Sequence, residues 1–155
     1  MALIDEGKKA PAFSLKDQDG KPHSLKDYAG RPLVLYFYPK DDTPGCTTEA
    51  CSFRDARPDF SRAKATVIGV SVLDTASKAK FARKHGLNFP LLADQDHAVA
   101  EKYGAWQEKS MYGRKYMGIA RITYVIDGEG KVVKRWDKVS VGNHAQEEIE
   151  EIKKL

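Results

Sequence analysis

At 155 residues the chain is about one domain long, with enough length to bury a sizeable core. Its composition, 41% hydrophobic and 31% charged, is that of an ordinary globular protein, and the net charge of +4 is spread among acids, as in KDQDGK and SFRDARPDF. That mixture excludes the basic block expected of a nucleic-acid binder, and no run approaches the length of a membrane span.

MALIDEGKK, at the start, has no apolar stretch and carries Asp5 and Glu6, so neither a signal nor a transit peptide is expected. A cytoplasmic, reducing setting follows, in which a pair of cysteines is more often catalytic or metal-binding than structural. The four histidines (His23, His85, His97, His144) are scattered away from Cys46 and Cys51, which argues against a metal site. Basic clusters at Arg54, Arg57, Arg62 and Lys64, or at Lys109, Arg114 and Lys115, could steer an acidic protein partner.

In chain order, Ala12–Leu15 and PHSL flank a turn at Asp19-Gly20 and predict a β-hairpin. Lys26–Gly30 is a connector. Pro32–Tyr38 is a continuous apolar run, which predicts an interior strand covered on both faces. A helix should start at Thr43 and Pro44 and stop or bend near Arg57, because Pro58 disfavours helix at the residue before it. Asp59–Ala65 could form a second helical piece. Thr66–Leu73 predicts another buried strand, and Asp74 or Thr75 should cap a helix running through Lys84 and ending at Gly86. Phe89–Asp94 is a third strand, Asp96 to Tyr103 a short helix, and Trp106–Gly118 a polar and aromatic loop. Ile119–Asp127 predicts a fourth strand, GEGK a turn and VVKRWD a fifth strand. An acidic amphipathic helix from about His144 to Lys153 closes the chain. No repeat or linker is visible, so residues 1–155 are expected to form one α/β domain: a mixed sheet flanked by helices, its site beyond the carboxyl ends of the strands.

Both cysteines fall in YPKDDTPGCTTEAC, after the apolar strand has stopped at Pro39. With Thr43 as N-cap and Pro44 as first helical residue, Cys46 lies in the first turn, where free N–H groups and the helix dipole favour an anion. A thiol there loses its proton more easily and becomes nucleophilic. Cys51 lies five residues on. In a regular helix the two Cα atoms are roughly 8 to 9 Å apart on different faces, beyond the span of about 7 Å that a disulfide tolerates. A static bridge is therefore disfavoured, whereas a transient one needs the helix to open. Two unrelated buried cysteines are the structural alternative.

Arg121 is the second informative residue. Inside the run Ile119–Ile126 it shares a face with Ile119, Thr123 and Val125, and an arginine there should have an anionic partner. A thiolate at the neighbouring helix start would serve; a strand-end arginine reaching water is the alternative. Glu49 could equally be an ordinary exposed helix residue near a positive helix start, and it is not counted among the catalytic residues. Tyr36, Phe37, Tyr38 and Trp106 read as core or pocket wall.

PKDDTPGCTTEACSFRD resembles the active-site segment of the peroxiredoxins, in the peroxiredoxin Q or bacterioferritin-comigratory-protein branch. Pro39, Thr43 and Cys46 match the pattern of proline, three residues, threonine or serine, two residues, cysteine. Cys51, five residues after Cys46, points to that branch. GKKAPAFSLKDQDGK, VIGVSVLD, YGRKYMGIARITYVIDGEGK and NHAQEEIEEIKKL resemble the same family, in family order. The resemblance implies a thioredoxin-like fold and a thioredoxin-dependent peroxidase acting on hydrogen peroxide and organic hydroperoxides. It implies that Cys46 becomes a sulfenic acid, that Cys51 resolves it as an intramolecular disulfide, and that Thr43 and Arg121 hold the peroxide while Pro39 shields the sulfur. No metal, haem or flavin is called for, and a monomer recycled by thioredoxin or a similar dithiol is expected.

Two rivals bear on the same residues. A general thiol–disulfide oxidoreductase ordinarily has two residues between its cysteines, against four here. A redox-sensing or holdase protein would use the disulfide to switch a surface. The peroxidase reading itself requires a first sulfur that is ionised near neutrality and not walled off.

Overall fold

The computed structural model describes residues 3–139, 141 and 144–155. Its core is the apolar run read from the sequence: β3 (Leu33–Phe37) is buried along its whole length. Period-two alternation sends Leu33, Leu35 and Phe37 into one hydrophobic cluster and Val34, Tyr36 and Tyr38 into another on the opposite face. β3 runs parallel to β4 (Thr66–Ser71) and antiparallel to β8 (Ile122–Ile126). β5 (Leu91–Ala93) extends the sheet beyond β4, and β9 (Val132–Trp136) extends it beyond β8. The hairpin of β1 (Ser14–Lys16) and β2 (Pro22–Ser24) completes a seven-stranded mixed sheet in the order β2-β1-β5-β4-β3-β8-β9. The connector before β3 is a 3₁₀ turn, Leu25–Tyr28.

On the Tyr36 face lie α1 (Pro44–Arg62), α2 (Thr75–His85) and α4 (His144–Lys153), contributing Phe53, Phe81 and Ile149 to the cluster. Val99 and Ala100 of α3 (Ala98–Lys102) pack on the other face. Gly69 is paired with Tyr36, and a Cβ there would stand 2.8 Å from the tyrosine ring, so only glycine leaves room for that ring. The helix ends of α2 are those expected: the Asp74 carboxylate accepts from Ser77 N–H and Gly86 closes the helix at φ 62°.

Four expectations are corrected. Pro58 does not end α1, which continues to Arg62 and absorbs most of the second helical piece. Proline cannot donate to the carbonyl four residues back, that of Arg54; the Asn88 side chain donates to that oxygen instead, at 3.4 Å. Asp96 is only part of the cap of α3: it accepts from Ala98 N–H at 3.1 Å, but His97 holds the N-cap position and the Asp94 carboxylate accepts from Val99 and Ala100 N–H. Trp106–Gly118 is not a loop. β6 (Trp106–Met111) and β7 (Arg114–Ile119) pair as an antiparallel ribbon around Tyr112-Gly113, both at positive φ, which suits the tight turn of a twisted hairpin. Consequently Ile119 belongs to β7, and Arg121 lies in the break between β7 and β8 rather than inside a strand.

Two buried polar groups tie the layers together. Lys78 of α2 is fully enclosed, its ammonium 2.5 Å from Ser71 Oγ and 3.4 Å from both oxygens of Asp41, in the loop after β3. Asp41 also accepts from Tyr38 Oη at 2.5 Å and Ser77 Oγ at 2.8 Å. In α4, His144 lies between Trp136 and Phe53, its Nε2 3.0 Å from Glu148, and both side chains are buried. Burial pulls His144 down to about 4 and pushes the Glu148 carboxyl well above the usual carboxylate range, so burial disfavours the charged form of each.

Removing one partner of a buried pair strands the other, at a cost of about 3 kcal/mol or more. Lys78→Met should therefore lower the urea-unfolding free energy by about 3 kcal/mol, and Asp41→Asn in the same chain should recover part of the loss. His144 binds its proton near 6.5 when unfolded and near 4 when folded, so its contribution is lost as pH falls through that window. Between pH 7 and pH 4 the wild type should lose up to about 3 kcal/mol more than His144→Phe, compared by urea unfolding at each pH.

Candidate active site

The end of β3 delivers Tyr38 and the half-buried Pro39, after which the loop through Asp41 and Asp42 leads to Thr43. Thr43 occupies the N-cap position in extended geometry and Pro44 is the first helical residue, as the sequence predicts. The expected side-chain cap is absent. Thr43 Oγ1 turns back and donates to the Lys40 carbonyl at 2.9 Å, which commits its proton and leaves its lone pairs free. The first intrahelical bond runs from Thr47 N–H to the Thr43 carbonyl at 2.8 Å. The amides of Gly45 and Cys46 precede it and have no partner within the helix.

Cys46 is the third residue of α1, and Arg121 reaches it from the β7–β8 break. One guanidinium nitrogen, Nη2, donates to Cys46 Sγ at 3.3 Å; the other, Nη1, donates to Glu49 Oε1 at 2.7 Å. Gly45 leaves room for this approach: a Cβ there would stand 3.3 Å from Nη2 and the guanidinium would have to shift by a few tenths of an ångström. Arg121 thus has two acceptors from a single helix face, since Cys46 and Glu49 are three residues apart.

Glu49 corrects the sequence reading. It is 1% exposed, not a surface residue. Burial pushes its carboxyl up to about 7, against the opposing pull of Arg121. Arg121 is held more firmly protonated by Glu49 and Cys46, although burial works the other way. Three-residue spacing places Glu49 on the helix face of Cys46, but its burial is set only by the arrival of Arg121. Gly45 gave no comparable signal, because its role is defined only by the arrival of Arg121.

Cys46 is itself only 1% exposed, more enclosed than a reactive thiol read from a helix start, and it packs in the cluster with Tyr36 and Tyr38. Arg121, whose guanidinium touches the sulfur, is 22% exposed, and Thr43 at the helix N-cap is half-buried. Cys51 is partly exposed, in an open groove between α1 and α4 lined by Thr48, Ser52 and Ala145. Both cysteines are free and lie in one unbroken helix, so their separation is the helical one expected. Among the described residues no group of histidine, cysteine and carboxylate side chains could hold a metal ion, and no helix is long and apolar enough to cross a membrane.

Comparison with known proteins agrees with this geometry. The AhpC/TSA family model matches residues 6–135. The chain is 47% identical to peroxiredoxin Bcp of Bacillus subtilis, over 98% of this chain and 97% of that one. It is 44% identical to peroxiredoxin Bcp of Escherichia coli, over 93% and 92%. A solved mutant of Xylella fastidiosa PrxQ superposes with a TM-score of 0.93 at 34% identity, covering 99% of this chain and 98% of that one. The Xanthomonas campestris bacterioferritin comigratory protein, studied for alkyl peroxide reduction, superposes at 0.90 with 39% identity, over 97% and 98%. The architecture is accordingly the thioredoxin-like fold of those neighbours. A thiol at a helix start, gripped by an arginine from across the sheet, is thus matched by likeness along almost the whole chain: it belongs to the AhpC/TSA family, as a thiol peroxidase of the Bcp/PrxQ peroxiredoxin branch.

Proposed function

We propose that Cys46 is the peroxidatic residue and that Arg121, Thr43 and Pro39 shape its oxidation by hydrogen peroxide and organic hydroperoxides. The observation that carries this is the contact of Arg121 Nη2 with Cys46 Sγ, beside two amides that have no helical partner. The Cys46 thiolate attacks the terminal peroxide oxygen. An S–O bond forms, the O–O bond breaks, and the electron pair leaves on the departing oxygen, which takes a proton to become water or an alcohol. Cys46 is oxidised by two electrons to a sulfenic acid.

Each neighbour has a part that its position supports. Thr43 Oγ1, its own proton given to Lys40, can accept the peroxide O–H. The Gly45 and Cys46 amides and the guanidinium supply donors to the oxygen on which charge develops. Pro39 brings no N–H and closes the loop beside the helix start, shielding the sulfur.

Cys51 then resolves the sulfenic acid. Its sulfur displaces water from Cys46, forming the S–S bond and breaking the S–O bond. That step requires the first turns of α1 to unwind, because the intact helix holds the two sulfurs apart. A dithiol of the thioredoxin type returns two electrons and two protons. We assign the whole chain, residues 1–155, to one such domain, working as a monomer in the cytoplasm.

Cys46→Ser should abolish peroxide consumption. Cys51→Ser should still undergo one oxidation, seen by mass as a sulfenic acid, and then fail to recycle with thioredoxin; equal loss of the first turnover in both variants would reject these roles. Arg121→Ala should slow Cys46 oxidation by about 100-fold or more, as loss of a donor to a developing anion does. Glu49, titrating near 7, alternates between sharing Arg121 with the sulfur and releasing it. Glu49→Gln should therefore remove an inflection near pH 7 from the pH–rate profile of Cys46 oxidation, measured in single turnovers.

A further inference from the structure

The ribbon of β6 and β7 springs from the site, since Ile119 ends β7 two residues before Arg121 and Ala120 N–H bonds the Ala105 carbonyl at its base. Its register divides the side chains cleanly. Gln107, Lys109 and Met111 share one face with their partners Gly118, Tyr116 and Arg114, while Glu108 lies on the other and pairs with Lys115. The Lys109 face therefore carries two cations, an aromatic ring and a thioether, and no carboxylate.

Lys109 is the cation of that face nearer the ribbon's base, where Ala120 bonds Ala105. It is half-buried, its stem lies over Gly118, where a Cβ would meet Lys109 Cδ at 3.5 Å, and its register partner Tyr116 covers the same glycine. Burial and the neighbouring charge of Arg121 lower its proton affinity, while the Cys46 sulfur opposes them, so the ammonium senses the reacting centre. Both terminal nitrogens of Arg121 are already engaged, by Cys46 and Glu49. Among the described residues Lys109 has no carboxylate partner. Farther out, Arg114 continues the positive stripe, with the exposed Met111 and Tyr116 beside it.

We propose that this face is a substrate subsite, with Lys109 as the specificity-determining cation, that selects hydroperoxides carrying a second, anionic group such as a carboxylate. The proposal rests on Cys46 being the peroxidatic residue. The peroxy end reaches Sγ, the hydrocarbon crosses the Lys109 stem and the Tyr116 ring over Gly118, and the anionic end meets the ammonium of Lys109, with Arg114 farther out strengthening the attraction. A partly exposed ion pair of this kind gives a several-fold preference that salt weakens.

The test compares single-turnover oxidation of Cys46 by cumene hydroperoxide and by its ring-carboxylated analogue. The wild type should prefer the carboxylated peroxide by about three- to fivefold at low salt, and the preference should shrink at about 0.3 M salt. Lys109→Gln should bring the ratio of the two rate constants close to one, and Lys109→Arg should restore it. A role confined to folding or to the sulfur's general reactivity would move both rates together and leave the ratio intact, which would overturn the proposal. So would an unchanged ratio accompanied by slower recycling with thioredoxin, because the face would then serve an acidic protein partner. Failure of the peroxidatic assignment shows itself separately, as no oxidation of the wild type by the uncharged peroxide, and the subsite falls with it.

Discussion

Everything at the site depends on one guanidinium shared between a sulfur and a carboxylate. Arg121 Nη2 reaches Cys46 and Nη1 reaches Glu49, so a single planar fork fixes the sulfur relative to the second turn of its own helix. Because the cation comes from outside α1, the helix start and the β7–β8 break must be held together before any charge can be stabilised. Gly45 permits that approach, and burial of Glu49 makes the carboxylate reluctant to ionise, so Arg121 is not fully neutralised by it.

The frame around this contact is stiffened from behind. Asp41, in the loop between β3 and α1, accepts from Tyr38 and Ser77 and faces the enclosed ammonium of Lys78, which ties the loop to α2. A buried pair of this kind adds little net stability over an apolar contact, but it fixes one arrangement, since any alternative strands a charge. On the α4 side of α1, the buried His144 packs against Phe53 and Trp136, with Glu148 buried beside it. α1 is thus held against α4 beyond the cysteine pair, through Phe53 and His144, whereas Cys51 itself faces an open groove.

Enclosure of Cys46 is compatible with reaction because the oxidant is small at its reacting end. Under the proposed role only one peroxide oxygen has to contact Sγ, and Arg121, which touches it, is 22% exposed. In the proposed subsite the β6–β7 ribbon would meet the rest of a larger substrate, with its positive and apolar side chains on one face and its acid on the other.

By itself the sequence determined the elements whose physics is local. β3, β4, the caps of α2, the span of α4 and the placement of Cys46 just after Thr43 and Pro44 follow from apolar runs, capping residues and proline's fixed geometry. The family's motif carried the choice of Arg121, which spacing alone left open. Tertiary structure decided the rest, because the partners are distant in sequence. Asn88 answers the carbonyl orphaned by Pro58, so α1 runs on. The polar ribbon of β6 and β7 forms through cross-strand pairing, which has no apolar periodicity to announce it. Glu49 has the composition of a surface residue, and only the arrival of Arg121, 72 positions later, makes its burial tolerable.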